Sequence, residues 1–338
     1  MRATDYEVLF DLPNGDYSGQ GVDGIRTVTY RAGRSLEVMC YPITQVNREA
    51  RREAKRRRST PAMEKLNARN SRRHRMRLLE ANFSAKAFVV TLTYAYPVED
   101  YGICDLEALA RAYEQRGLPE KLEDAQRDFR NYLARVRRRL RKCDASSGAA
   151  RHLPQLHQSP AVTAPLGRNP EGKAGGPLKW DVTIEWTEEP PVAGLPPKYH
   201  AHLIVEAEGL TRGMLEECWG HGATRIERFD LSNDGAARLA NYLSKHHRKR
   251  SWWSHSRNLV DPQPTISDRK MSRRRLAKVA ADVMRDGKAI FERLYPGYRL
   301  VELPEVNYSD FVVGAYIYAR LRKYSDDPPW VRKGKKRE

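Results

Sequence analysis

The stretch KYHAHLIVE, residues 198–206, sets two histidines one residue apart in a run that is otherwise mostly apolar. Side chains alternate faces along a strand, so Tyr199, Ala201, Leu203 and Val205 form one face and His200, His202 and Ile204 the other. The first set is a core face. The second carries two imidazoles about 7 Å apart at their backbones, near enough to converge on one ion. In the preceding run KWDVTIEW, residues 179–186, Val182, Ile184 and Trp186 form an apolar face and leave Thr183 and Glu185 opposite. Pairing the two runs as a hairpin brings Glu185 towards the histidines, with Glu188 and Glu189 of the connection as weaker oxygen donors. Two imidazoles and a carboxylate are a donor set for a divalent cation with open positions. A lone strand histidine is more simply a half-exposed residue, but that explains two same-face histidines beside a strand glutamate less well.

Outward from this hairpin, KAFVVTLTYAYP (86–97) reads as a buried strand ending at Pro97. Two helices follow, DLEALARAYEQRG (105–117) and LEDAQRDFRNYLARVRRRLRK (122–142), the second with Phe129, Leu133, Val136 and Leu140 at helical spacing. Residues 144–178 lack periodicity and are expected to form a flexible insertion. Beyond the histidines, TRGMLEECWG predicts a helix, ATRIERFD a strand and NDGAARLANYLSKHHRK a helix. From residue 85 the order of folding units is that of a ferredoxin-like α+β domain with an extra terminal helix, an antiparallel central sheet packed by helices. The expected organisation is an N-terminal β-hairpin and basic helical arm over 1–84, this domain over 85–250, and an accessory helical region over 251–338. In that last region a basic segment, 267–294, precedes an apolar helix-like stretch, DFVVGAYIYARLRKY (310–324), and the region is expected to support the core and add DNA contacts. Trp252 and Trp253 suit stacking on unpaired bases or packing within the fold.

Lys and Arg number 61 against 43 Asp and Glu, a formal charge of +18, which favours a polyanionic partner, nucleic acid ahead of a membrane surface. Residues 47–80 alone hold 13 Lys/Arg and 4 Glu, and Pro61 should start a fresh helical segment there. Such a run is either a solvated helix or a phosphate-backbone contact, and the number of cations favours the contact. No apolar run approaches the roughly 18 to 20 residues that span a bilayer, and the N-terminus lacks a signal-peptide layout. Cys40, Cys104, Cys143 and Cys218 lie far apart without a CxxC pair, as expected in a reducing cytoplasm. GRNPEGKA (167–174) comes within one residue of a phosphate-binding loop, but Ala174 replaces the magnesium-binding hydroxyl and no strand precedes it, so no ATP site is expected.

In the helix around 235–249, Tyr242 shares a face with Arg238, Lys245, His246 and Lys249, while Ala236, Leu239, Ala240 and Leu243 form the apolar side. A free tyrosine ionises near pH 10. Neighbouring cations would favour its phenolate and neutralise a phosphodiester, as a tyrosine nucleophile requires.

Taken together, FVVTLTY (88–94), YHAHLIVE (199–206) and NYLSK (241–245) resemble, in order and spacing, the three motifs of HUH-type rolling-circle replication initiators. The match is closest to the replication-associated proteins of small single-stranded DNA phages of the filamentous and microvirus types. DFRNYLARVRRRLRK (128–142) resembles their basic helix between the first two motifs, and the resemblance covers about residues 85–250. It implies an antiparallel ferredoxin or RRM-like sheet of HUH type, with His200, His202 and Glu185 holding Mg²⁺ or Mn²⁺. It implies Tyr242 as nucleophile and Lys245 as the phosphate-orienting lysine. Thr91, Thr93 and Tyr94 would line the DNA-binding face, with further contacts from Arg137, Arg138, Arg238 and Lys249. The implied activity is nicking of single-stranded or cruciform origin DNA, without ATP, to leave a 5′-phosphotyrosine link and a free 3′-OH. A host polymerase and helicase would then act in the host cytoplasm. A single-tyrosine HUH transposase and a non-catalytic basic nucleic-acid-binding protein are the alternatives.

Overall fold

The run GIRTVTYRA, rich in β-branched and aromatic residues, forms strand β1 (Gly24–Ala32), and SLEVMCYPI forms β2 (Ser35–Ile43), paired with it antiparallel. Gly33 turns the hairpin with φ of 52°, and a Cβ there would collide with the carbonyl oxygen of Glu80. Only glycine relieves both constraints. The computed structural model describes residues 24–43, 61–96, 106–146, 178–187, 197–244, 251–309 and 312–323. The expected early strand EVLF, the first part of the basic arm, nearly all of the 144–178 insertion, Glu188, Glu189 and the C-terminal tail lie outside these residues.

The described elements continue with α1 (Pro61–Asn82), β3 (Phe88–Tyr94), α2 (Leu106–Gln115), α3 (Leu122–Ser146), β4 (Lys179–Trp186) and β5 (Tyr199–Glu206). Then come α4 (Arg212–Glu217), β6 (Gly222–Arg228), α5 (Gly235–Leu243), β7 (Ser251–His255), β8 (Thr265–Ser267) and α6 (Arg273–Ala281). A π-helical turn (Val283–Gly287), α7 (Lys288–Leu294), β9 (Tyr298–Leu300), β10 (Glu305–Ser309) and β11 (Val312–Lys323) complete the order. The chain is therefore α+β with two antiparallel sheets, and it divides into two compact units. One comprises Met1–Asn82, Ala236–Ser244 and Val260–Glu338; the other comprises Phe83–Gly235 and Lys245–Leu259. Among the described residues no helix is long and apolar enough to cross a membrane.

In the first unit the sheet runs β10-β11-β2-β1-β8, with β9 also paired to β11. Its β2 and β11 are joined along six residue pairs from Ile317–Cys40 to Arg322–Ser35. This corrects the reading of 310–324 as helix: VVGAYIYARLRK is a strand. Its Val, Tyr and Ile residues favour the pleated surface, and burial on both faces removes the polar alternation that marks a half-exposed strand. One face packs Leu36, Val38, Cys40, Ile317, Ala319 and Leu321 against Leu276 and Val279 of α6 and Ile290 and Phe291 of α7. The other face is aromatic and acidic, and α1 lays arginines across it. Arg73 stacks over Tyr318 at 3.4 Å and reaches Glu305 at 3.0 Å; Arg77 lies 4.1 Å over Tyr30 and 2.8 Å from the buried Glu37. Arg75 is buried and donates to the Leu243 carbonyl at 2.9 Å. Pro61 does open the helix, as expected, but these three of the segment's cations serve the protein's interior rather than a phosphate backbone.

In the second unit the sheet order is β6-β3-β5-β4-β7, antiparallel throughout. Phe88, Val90, Leu92, Val182, Ile184, Ala201, Leu203 and Val205 make one apolar face. Helix α3 covers it with Phe129, Tyr132, Leu133 and Val136, and Trp219 after α4 closes the same core. Arg135 of α3 donates to the carbonyls of Cys218 and Trp219 at 2.8 and 3.1 Å, satisfying groups left open past the end of α4. The expected order of strands and helices from residue 85 is present along the chain, with β7 added at the edge. Its last helix, α5, belongs to the first compact unit, however, so the domain expected over 85–250 is not one unit.

Candidate metal and nucleic-acid site

The register of the second sheet builds its other face in rows. Thr93, His200, Glu185 and Ser251 stand side by side on β3, β5, β4 and β7. The next row is Arg225, Thr91, His202, Thr183 and Trp253, and the next is Glu227, Val89, Ile204, Asp181 and His255. His200 and Glu185 are thus direct cross-strand partners, the closest side-chain relation a sheet offers. His202 reaches Glu185 diagonally, its Nε2 3.7 Å from Oε2, with only 12% and 17% of the two side chains exposed. Its other nitrogen, Nδ1, lies 3.1 Å from the Thr91 hydroxyl. With Nδ1–H donated to that hydroxyl, Nε2 presents a lone pair towards the carboxylate.

Burial, and secondarily the charge of Lys198, lowers the His200 pKa below the ordinary histidine value. Neutral imidazole is the form that binds a metal. With that tautomer, the 3.7 Å between Nε2 and Oε2 fits the span of two ligand bonds of about 2.1 Å each. The donor set therefore suits a divalent cation through His202 and Glu185, with His200 on the same face beside Glu185. Among the described residues, the side chains as placed do not gather three His, Cys, Asp or Glu groups around one point.

Parity separates the residues expected on the nucleic-acid face. Thr91 and Thr93 share the histidine face. Tyr94 does not: it is 5% exposed, donates to Asp128 Oδ2 at 3.2 Å and packs edge-on to Trp219 at 5.1 Å. Desolvation, reinforced by the Asp128 charge, raises its pKa well above the ordinary tyrosine value. The expectation that Tyr94 lines a DNA surface is corrected by the strict alternation of β3. Tyr199 is likewise a core residue, 4% exposed. Arg137 and Arg138 are exposed on α3, which packs on the opposite face of the sheet from the histidines. They form a separate basic surface.

Tyr242 lies on α5 in the first compact unit and is 53% exposed, while Ala236, Ala240 and Leu243 are buried. Arg238, one turn earlier, is also exposed. Lys245, His246 and Lys249 lie outside the described residues. Trp252 packs against the core. Trp253 stands on the histidine face with its indole N–H donated to the buried Asp181 at 2.7 Å.

Sequence reasoning missed two parts of this face. Asp181 shares parity with Glu185, yet its partner comes from β7, a strand too short to show periodicity. Arg225 comes into the His202 row only through the β3–β6 pairing, and its guanidinium is held by Glu227 at 2.7 Å. Gly222 lets β6 begin there: its φ is 151°, and a Cβ would run into the Thr93 carbonyl. Comparison of the chain with protein-family models, with curated proteins and with solved structures finds no match.

Proposed function

We propose that the chain is a metal-dependent, tyrosine-based DNA strand transferase of the HUH replication-initiator type, with the second sheet as its RRM-like platform. The observation that carries this reading is the diagonal pair of His202 and Glu185 at 3.7 Å, with His200 directly beside Glu185 in register and Thr91 bonded to His202. Those residues occupy one face of an antiparallel sheet whose opposite face is core, so the strand parity that builds the fold also presents the donors. A net charge of +18 supplies the attraction for DNA.

In this reading His200, His202 and Glu185 would hold Mg²⁺ or Mn²⁺, which would supply Lewis-acid charge for the phosphoryl chemistry. The Tyr242 phenol loses its proton to solvent and its oxygen attacks phosphorus. The new Oη–P bond forms as the P–O3′ bond breaks, and the departing 3′ oxygen takes up a proton. Products are a 5′-phosphotyrosine adduct and a free 3′-OH for a host polymerase, working with a host helicase in the cytoplasm. Because the ester is exchanged rather than hydrolysed, reversal rejoins the ends and no ATP is needed. Lys245 orients the phosphate, while Thr91, Thr93, Arg238 and Lys249 contact the strand.

The test is incubation of the purified protein and Mn²⁺ with a library of single-stranded and hairpin oligonucleotides. The expected product is a covalent protein–DNA band that survives denaturation and is absent from Tyr242→Phe. An adduct formed undiminished by Tyr242→Phe removes Tyr242 as nucleophile. Salt-sensitive binding without any adduct favours the non-catalytic nucleic-acid-binding reading.

A further inference from the structure

In the first compact unit, α6, the π-helical turn and α7 fold back to enclose a groove of about 360 Å³, lined by Ser272, Arg274, Arg275, Lys278, Asp286, Ala289, Ile290 and Arg293. Four of these residues are cationic. Elsewhere many arginines are paired: Arg127 with Asp124, Arg139 with Glu217 and Arg212 with Glu216, all within 2.9 Å. Arg274, Arg275, Lys278 and Arg293 make no ion pair or side-chain hydrogen bond among the described residues. The groove's one carboxylate, Asp286, already has Arg285 at 3.6 Å.

Unpaired like charges converging on a concavity repel one another, and an anion in that space relieves the repulsion. The backbone adds to this. Ser272 caps α6, its hydroxyl accepting from the Arg275 N–H, so the positive end of the helix opens at the groove. The π-helical turn supplies Asp286 and carries the chain into α7, so that Arg293 joins cations that α6 alone could not gather.

We propose that this groove is a phosphate-backbone site for nucleic acid, distinct from the histidine face. Its volume exceeds that of one phosphate and admits a sugar–phosphate segment. Ala289 and Ile290 are its only apolar lining and no aromatic side chain borders it, so it offers nothing on which a base could stack or be read. It holds the backbone irrespective of sequence. The inference rests on the nucleic-acid part of the proposed function and is independent of the tyrosine chemistry.

The experiment compares the full-length wild type with R274Q/R275Q/K278Q/R293Q. All four side chains are exposed and glutamine preserves helix propensity, so an unchanged melting curve checks the fold. Binding to a duplex and a single-stranded oligonucleotide of arbitrary sequence is measured by fluorescence anisotropy between about 50 and 200 mM salt. Each phosphate contact contributes about 0.9 to the slope of log affinity against log salt for duplex and about 0.7 for single strands. The expected result is a slope shallower by about 2 to 3 and an affinity at least roughly tenfold weaker at the lower salt. An unchanged slope overturns the proposal, as does failure of the wild type to bind either oligonucleotide. So does a variant that loses binding to phosphatidylserine vesicles but keeps its DNA affinity, which assigns the groove to a membrane surface. Adduct formation is read in parallel. A shallower slope without any wild-type adduct leaves this site standing and removes the nicking chemistry; a normal adduct with an unchanged slope does the reverse.

Discussion

The Thr91 hydroxyl is bonded to His202 rather than placed as a ligand, yet it decides what His202 can do. At 3.1 Å from Nδ1 it holds the ring in one orientation and leaves Nε2 towards Glu185. Outer partners of this kind commonly alter metal affinity by about 10- to 100-fold. Thr91→Val keeps the β-branched shape that β3 needs and removes only the hydroxyl. Mn²⁺ titration followed by the signal of the free ion should therefore show affinity lower by at least about tenfold, with Thr91→Ser close to wild type and the melting temperature of the apo protein little changed. Equal Mn²⁺ affinity in all three proteins would mean that the threonine is only a strand residue. The same parity argument reads Thr93 and His200 as neighbours on this face and disqualifies Tyr94, whose hydroxyl is committed to Asp128 inside the core.

At the scale of elements, α1 shows why a charged run need not be a binding surface. Its arginines lie over Tyr30 and Tyr318 and against Glu37, a carboxylate only 1% exposed. Removing one partner of a buried pair strands the other, at a cost of about 3 to 5 kcal/mol. Arg77→Ala should lower the denaturation free energy by about 3 kcal/mol in a urea titration, while Arg274→Gln, on an exposed helix face, should leave it within about 0.5 kcal/mol. Similar small changes for both would return α1 to the class of solvated helices. The contrast also marks what the sequence could disclose. Strands β3 to β5 and helices α3 and α5 were legible because one face of each is apolar at the period of its own geometry. The His200, His202 and Glu185 grouping followed from the same alternation. Strand β11 was misread because it is buried on both faces and gives no period, and the arginines of α1 because a buried guanidinium on an aromatic sheet looks, in sequence, like an exposed one. The strand that partners Asp181 was hidden by its length.

For the whole molecule, the +18 charge divides by use rather than by position along the chain. Arg73, Arg75 and Arg135 are spent on tyrosine rings, carboxylates and carbonyls, whereas Arg137, Arg138, Arg274, Arg275, Lys278 and Arg293 face solvent. Affinity for nucleic acid should then follow the second group, and the donors at Glu185, His200 and His202 should contribute little to it. His200→Ala/His202→Ala is expected to abolish Mn²⁺-dependent cleavage while the salt slope of DNA binding stays within about 1 of wild type. Ligand binding to the folded state alone adds about 2.7 kcal/mol at a hundredfold excess over Kd. Mn²⁺ at that excess should raise the melting temperature of the wild type and leave that of the double variant unmoved. Loss of DNA binding in step with cleavage would instead make the ion a structural support, because a cation needed only for the reaction has no reason to hold a backbone that the exposed arginines already attract.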